Sequence, residues 1–511
     1  MKSMSHKLVA NSMLSSITGM SNILMSFITN IIVVRLLGAE GTGSIALVLW
    51  ATMIVVIGTD VGVGGSLARY LPELSRRNMN NEACALRSFL LRRLVLYFSI
   101  AFSVVLTMLL CFILCFGDVE LHQYLTMSYG LVFFACCLSQ VLFVYYYNLL
   151  RGTLRYDIIA CLSAAGAVLQ IAGAWAGSLL LGPPGALWGY VLGSLPMAAG
   201  VLTLSGSSNR LSSVTMTRVK RYSLSVWIAA VFSPLLWLRM DVVLIQYFEN
   251  VATVGVFIVG TTISNLLLQG MYVVSAGLLP FLAQRVGSEQ VGNSDSQTYA
   301  TVLRISSLIL FPICFGAAAL TPVVIPLLYG SQFDVAVPVG AALAISSALF
   351  ALFVIGSNAL HAAERTKPLI TAGVLGAIIM VIPGVAAVAH YGLTGAVLTR
   401  SVAQSVTAGY VLYSLNRIAP CSVPCGSLTK ITVSSIASGA LAFLCVAAIP
   451  SAWSLIIAVP VGVIVYLYSV RCLNVLYPDD IVKLHSAFSG MWRPVRIVSF
   501  FIINCLRKSN V

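Results

Sequence analysis

The run Ile158–Ser205, IIACLSAAGAVLQIAGAWAGSLLLGPPGALWGYVLGSLPMAAGVLTLS, contains no charged side chain over 48 residues. A helix rises 1.5 Å per residue, so ~20 apolar residues cross the ~30 Å hydrocarbon layer of a bilayer. The run is too long for one crossing and suits two. Gly182-Pro183-Pro184-Gly185 at its middle supplies turn residues. The reading is therefore two helical spans, near 158–181 and 185–205, that share a very short turn.

Cutting the rest of the chain at charged or Gly/Pro-rich breaks gives fourteen such segments. They lie near 11–34, 43–67, 94–116, 124–150, 158–181, 185–205, 222–245, 251–283, 299–328, 336–360, 368–390, 393–416, 429–449 and 452–473. A second close pair meets at Tyr391–Gly392. Composition agrees. Of 511 residues, 59% are hydrophobic and 9% charged, and mean hydropathy is +0.98. Ordinary soluble proteins carry roughly 25% charged residues. These values exclude a soluble enzyme, a nucleic-acid-binding protein and a disordered chain. Continuous rather than alternating apolar runs exclude a transmembrane β-barrel. The expected class is an all-α polytopic membrane protein with about 14 transmembrane helices.

The formal charge of +14, from 29 Lys+Arg against 15 Asp+Glu, follows the topology. With the N-terminus cytoplasmic, the inner loops and tails hold 26 Lys/Arg and 8 acids. The outer loops hold Arg35 and 5 acids. Arg239 and Arg400 fall within spans, as do Asp60 and Asp241. Such a bias is the positive-inside pattern and predicts both termini in the cytoplasm. Lys2 and Lys7 precede the first apolar stretch, which reads as an uncleaved anchor rather than a signal peptide. Most of the twelve cysteines lie in spans, where they serve as small apolar packing residues. Cys421 and Cys425 lack two further ligands for a metal site.

The chain also resembles itself at an offset of 210. Asn148, Leu150 and Arg155 meet Asn358, Leu360 and Arg365, and Gly166-Ala167 meets Gly376-Ala377. Gly182-Pro183-Pro184-Gly185-Ala186 meets Gly392-Leu393-Thr394-Gly395-Ala396. Nine of the 44 positions from 148 to 191 are identical. Arg35–Gly43 echoes Gln246–Gly255 less closely. Six spans per repeat place the halves in the same orientation, a parallel pseudo-twofold arrangement used by transporters with a central site. The expected domains are an N-terminal six-helix lobe at 1–209, a second at 210–418, a helix pair at 419–475 and a cytoplasmic tail at 476–511.

Val33-Val34-Arg35-Leu36-Leu37-Gly38-Ala39-Glu40-Gly41-Thr42-Gly43 resembles the first outer turn of the polysaccharide transporter family. Asp60-Val61-Gly62-Val63-Gly64-Gly65-Ser66-Leu67-Ala68-Arg69-Tyr70-Leu71-Pro72-Glu73 is similar to that family's second span. Tyr222–Tyr247 and Leu278-Leu279-Pro280 fit as well. The family comprises lipid-linked oligosaccharide flippases of the MOP exporter superfamily. The resemblance implies movement of undecaprenyl-linked repeat units across a bacterial inner membrane, for O-antigen, capsule or exopolysaccharide assembly. It implies as partners the lipid-linked oligosaccharide, membrane lipids, a polysaccharide polymerase and a chain-length regulator. No cofactor, metal or enzymatic activity is expected.

Charges in spans are costly and mark candidate sites. Arg239, Arg400 and Arg35 would form a cationic cavity for a phosphate or pyrophosphate, since arginine stays protonated and binds phosphate in bidentate fashion. Asp60 and Asp241 are coupling or structural acids, with Asp60 relaying a proton or cation or bonding a backbone turn near Gly62. The bland reading of all five is local charge neutralisation or snorkelling. The GxGG run at Gly62–Gly65 lies in a span and reads as close helix packing, not a nucleotide loop. A multidrug/cation antiporter is an alternative, as is a lipid II flippase. The antiporter would need carboxylates deep in the spans, and no Glu lies there. A membrane glycosyltransferase or polymerase would need a catalytic constellation on a sizeable loop, and none is present.

Overall fold

The computed structural model describes residues 2–77, 79–116, 127–204, 212–231, 239–276, 293–362, 365, 367–418, 423–449 and 451–475. Every regular element among them is helical. The chain packs as two compact units, Met1–Gly255 and Val256–Val511.

Unit 1 contains α1 (Lys2–Asp60), α2 (Val63–Arg76), α3 (Asn80–Phe116), α4 (Met127–Gly152), α5 (Tyr156–Ala199), α6 (Ser213–Val231) and α7 (Met240–Phe248). α8 (Val251–Ala276) starts there and continues into unit 2. Unit 2 then contains α9 (Asn293–Tyr329), α10 (Val337–Ala362), α11 (Lys367–Ile418), α12 (Cys425–Ala448) and α13 (Ser454–Cys472). Short 3-10 turns follow α5 and α9.

Ten of these helical stretches are long and apolar enough to cross a membrane. Three, Ser21–Asp60, Tyr156–Thr203 and Lys367–Ile418, have 40 or more residues, and each bends at one glycine. The bends sit at Gly38 (φ 67°), Gly182 (φ 65°) and Gly392 (φ 52°). Positive φ is available to glycine without a Cβ clash. At Gly182 the bend is a reversal. A Cβ on Gly177 would strike the Gly185 carbonyl, and one on Gly173 would lie 3.0 Å from the Gly189 backbone. The two arms of α5 therefore run antiparallel, backbone against backbone. α11 repeats the device, with Gly395 packed on the Ala387 carbonyl. The short turns expected at Gly182–Gly185 and Tyr391–Gly392 are thus observed, each reduced to one glycine within a helical hairpin. The count of fourteen spans is not established. The seventh expected segment, 222–245, has its middle, 232–238, outside the described residues. Pro234, Leu278–Pro280, Cys421 and the tail 476–511 lie outside them as well.

The second expected segment, 43–67, is interrupted. Val61 (φ 33°) and Gly62 (φ 72°) leave the helical region and separate α1 from α2. The Asp60 carboxylate receives the Gly64 N–H at 2.9 Å across this break. The core of unit 1 gathers where α2, α3, α4 and α6 meet, around Leu67, Leu71, Leu86, Tyr145 and Val219. A second cluster, including Val33, Cys136, Ala186 and Leu187, joins α1, α4 and α5. Cys136 and Cys137 are fully packed and bond weakly to the Leu187 carbonyl and Thr52 Oγ1. In unit 2, Tyr466 of α13 donates to the Leu308 carbonyl at 2.6 Å, and Ser438 of α12 donates to the Gly462 carbonyl at 2.7 Å. These bonds tie the last helix pair to α9. Outward-facing leucines such as Leu180 and Leu202 suit contact with lipid chains.

Candidate functional site

α11 begins its second arm after Gly392, and Arg400 follows eight residues later, about 12 Å along the helix. Arg400 is only 4% exposed. Its guanidinium lies 5.9 Å from the centroid of Phe257, on α8. That distance is within cation–π range. One helical turn further on, Gln404 is 0% exposed. Ser346 of α10 donates to Gln404 Oε1 at 2.7 Å. Next to it, Ser347 and Ser264 share a 2.8 Å hydroxyl contact that joins α10 to α8. Thr407 is also buried and bonds to the Ala403 carbonyl of its own helix. α8, α10 and α11 therefore enclose a polar seam inside unit 2, with a permanent cation at one end.

Arg304 is a second buried cation in this unit, at 8% exposure, five residues into the apolar stretch Tyr299–Tyr329 of α9. The sequence reading leaves it among the 26 inner-side bases. The sequence clue was its position inside a segment already drawn as 299–328. Among the described residues of unit 2, Arg304 and Arg400 are the buried charged side chains, and both are basic.

The other sequence-chosen residues belong to unit 1. Arg35 is exposed and precedes the Gly38 bend by three residues. Asp60 ends the same helix 22 residues after that bend, roughly 33 Å away along its axis. Arg35 therefore lies beside the bend and Asp60 at the far end of the arm that follows it, so the two do not form one cluster. The bond from Gly64 to Asp60 is the backbone-turn role weighed for that carboxylate. Asn148 crowds the same place, since a Cβ on Gly64 would lie 2.7 Å from its Nδ2. Arg239 is exposed at the N-cap position of α7. Asp241, in the first turn of that helix, is 0% exposed and accepts the Val242 N–H at 2.9 Å. A carboxylate there is favoured by the unpaired amides and dipole of the helix start.

Residues 32–338 match the family described as polysaccharide biosynthesis protein. The chain belongs to that family. No curated protein matches it. Among solved structures it is similar to a lipid II flippase MurJ in an inward closed conformation, at 12% identity and a TM-score of 0.65. That match covers 91% of this chain and 98% of the other. It is also similar to an inward-facing multidrug resistance MATE transporter of the MOP superfamily, at 15% identity and a TM-score of 0.62, covering 80% and 98% of the two chains. A MOP superfamily transporter from Pyrococcus furiosus, described as having a binding pocket of reverse polarity, is similar at 15% identity and a TM-score of 0.54, covering 81% and 96% of the two chains. At such identities the likeness is one of fold. It places this family member, a multi-pass membrane protein, on the architecture of those transporters.

Proposed function

We propose that this chain is a flippase that carries polyprenyl-phosphate- or pyrophosphate-linked oligosaccharide repeat units from the cytoplasmic to the outer leaflet of a bacterial inner membrane, for polysaccharide assembly. The observation that carries the reading is the burial of Arg400 in an apolar helix. A lone phosphate cannot cross hydrocarbon at a useful rate, because its charge loses hydration without compensation. A guanidinium inside the protein supplies charge and two parallel donors in place of that water. The polyprenyl tail stays in the bilayer while the headgroup passes through the protein. Family membership supports a saccharide cargo, and the basic character of the buried charges in unit 2 supports an anionic one. A carrier of cationic drugs would instead place carboxylates there. Asp60 and Asp241 remain candidates for coupling. Arg35 and Arg239, both exposed, suit contact with the headgroup before or after passage. A polymerase and a chain-length regulator would act on the delivered units.

The test is replacement of Arg400 by glutamine, in cells whose own flippase gene is deleted. Surface polymer is expected to disappear while the protein inserts at its normal level, and the lipid-linked glycan accumulates on the inner leaflet. Full restoration of polymer by the variant would remove the argument for an anionic site at Arg400. Arg239→Gln, assayed beside it, reports whether the exposed arginine shares the role.

A further inference from the structure

The polar seam of unit 2 contains a donor that the protein does not use. Gln404 is completely buried, yet its Nε2 finds no acceptor among the described residues. Its Oε1 is held by Ser346, whose hydroxyl also approaches the Leu343 carbonyl at 3.0 Å. The serine has one proton. If that proton goes to Gln404, the amide N–H₂ is left over. If it goes to Leu343, the amide turns to donate to Ser346 and its oxygen is left over. Either way one end of the amide is unmet. A buried polar group without a partner destabilises the folded state, so native interiors contain few of them.

The matching positions of the first half show that the fold does not require this arrangement. At the repeat offset of 210, Gln404 corresponds to Ser194, Ser346 to Cys136 and Arg400 to Tyr190. Ser194 satisfies itself on the Tyr190 and Val191 carbonyls at 3.2 and 2.9 Å. The same helical hairpin is thus built without an unmet amide.

We propose that Gln404, oriented by Ser346 one turn from Arg400, recognises a hydroxyl of the sugar attached to the phosphate and so determines which lipid-linked headgroups the protein accepts. The inference rests on the flippase reading above. A hydroxyl both donates and accepts, so it can meet the free end of the amide in either orientation. Residues four apart lie about 6 Å from each other on one helix face. That spacing brings a sugar next to a phosphate held at Arg400. The amide is sealed in this conformation, so the sugar reaches it when α8, α10 and α11 separate during transport.

The full chain in lipid nanodiscs is tested for binding of undecaprenyl pyrophosphate and of undecaprenyl pyrophosphate bearing one hexose. Wild type is expected to prefer the glycosylated lipid by about tenfold, the worth of one well-made hydrogen bond to a buried group. In Gln404→Leu the preference should fall to near one, while the ligand-free protein melts at the same or a higher temperature. Ser346→Ala, which releases the amide, should reduce the preference in part. A Gln404→Leu protein that keeps the tenfold preference overturns the proposal. So does one that melts lower and loses affinity for both lipids equally, the mark of a purely structural amide. Wild type that binds neither lipid overturns the flippase reading itself.

Discussion

The hairpins Tyr156–Ala199 and Lys367–Ile418 reverse at glycines 210 residues apart, with nearly the same backbone angles: 65° and −144° at Gly182, 52° and −130° at Gly392. Their contents diverge. Eight residues past the bend the first has half-buried Tyr190 and the second has buried Arg400. The contact of Cys137 with Thr52 in unit 1 corresponds to the hydroxyl pair of Ser347 with Ser264 in unit 2, where α8 follows α1 at the offset of 212 that relates Gly43 to Gly255. Buried Leu94 of α3 corresponds to buried Arg304 of α9. What the halves share is backbone geometry, enforced by glycine. What separates them is which residues fill the same sites, and the second half fills them with cations and donors. On the proposed reading, the buried contact with the headgroup belongs to the second hairpin, and the matching positions of the first hairpin are filled for packing.

The hardest blow to that contrast is Arg400→Tyr, which writes the first half's residue into the second. Loss of a charge-assisted bidentate contact is worth about 3 kcal/mol, so transport of lipid-linked sugar into vesicles should fall about a hundredfold. Unchanged insertion into the membrane would show that the hairpin tolerates either residue. Transport within twofold of wild type would mean that the asymmetry has no bearing on cargo. The shared backbone is probed by Gly182→Ala and Gly392→Ala. A side chain at positive φ costs about 1–2 kcal/mol, and thermal melting in detergent should drop by similar amounts in both variants. A large inequality would break the claim that the two bends are the same device. Arg304→Leu, again a copy of the first half, is expected to lower transport about fivefold, as a cation outside the Arg400 seam would. An effect as large as that of Arg400→Tyr would merge the two arginines into one site.

Much of the architecture was legible in the sequence because membrane insertion leaves coarse marks. Charge-free runs of fixed length identify spans, and Gly182–Ala186 with its copy at Gly392–Ala396 identified both hairpins. The break at Val61–Gly62 was legible only as an alternative role for Asp60, a bond to a turn near Gly62, within a segment read as one continuous span at 43–67. The Asp60 carboxylate substitutes for a helical acceptor there, and no periodicity records such an exchange. Arg400 stood out as a charge deep in an apolar run. Arg304 did not, because a base about one turn into the apolar stretch Tyr299–Tyr329 reads as interfacial until neighbouring helices are seen to cover it. Gln404 and Ser346 gave still less signal. Each is an uncharged polar residue in a span, and their bond joins positions 58 apart in sequence.

The smallest expected effect sets the boundary of the polar seam. Ser347 and Ser264 are both fully buried, and Ser347 also has the Leu343 carbonyl within 2.7 Å. The pair is therefore satisfied within the protein, unlike Gln404. Replacing it by the first half's chemistry, Ser347→Cys with Ser264→Thr, exchanges one short bond for a longer and weaker one to sulfur. Stability should change by about 0.5–1 kcal/mol, the net worth of a neutral hydrogen bond, and the double variant should lose less than the two single changes together. Transport and the preference for glycosylated lipid should stay at wild-type values. If they do, the seam divides into a structural half, common in kind to both repeats, and a recognition half formed by Arg400, Gln404 and Ser346. If the preference falls with the serine pair intact in fold but altered in chemistry, recognition extends across α8 as well, and the line between scaffold and site runs between the repeats rather than through the second.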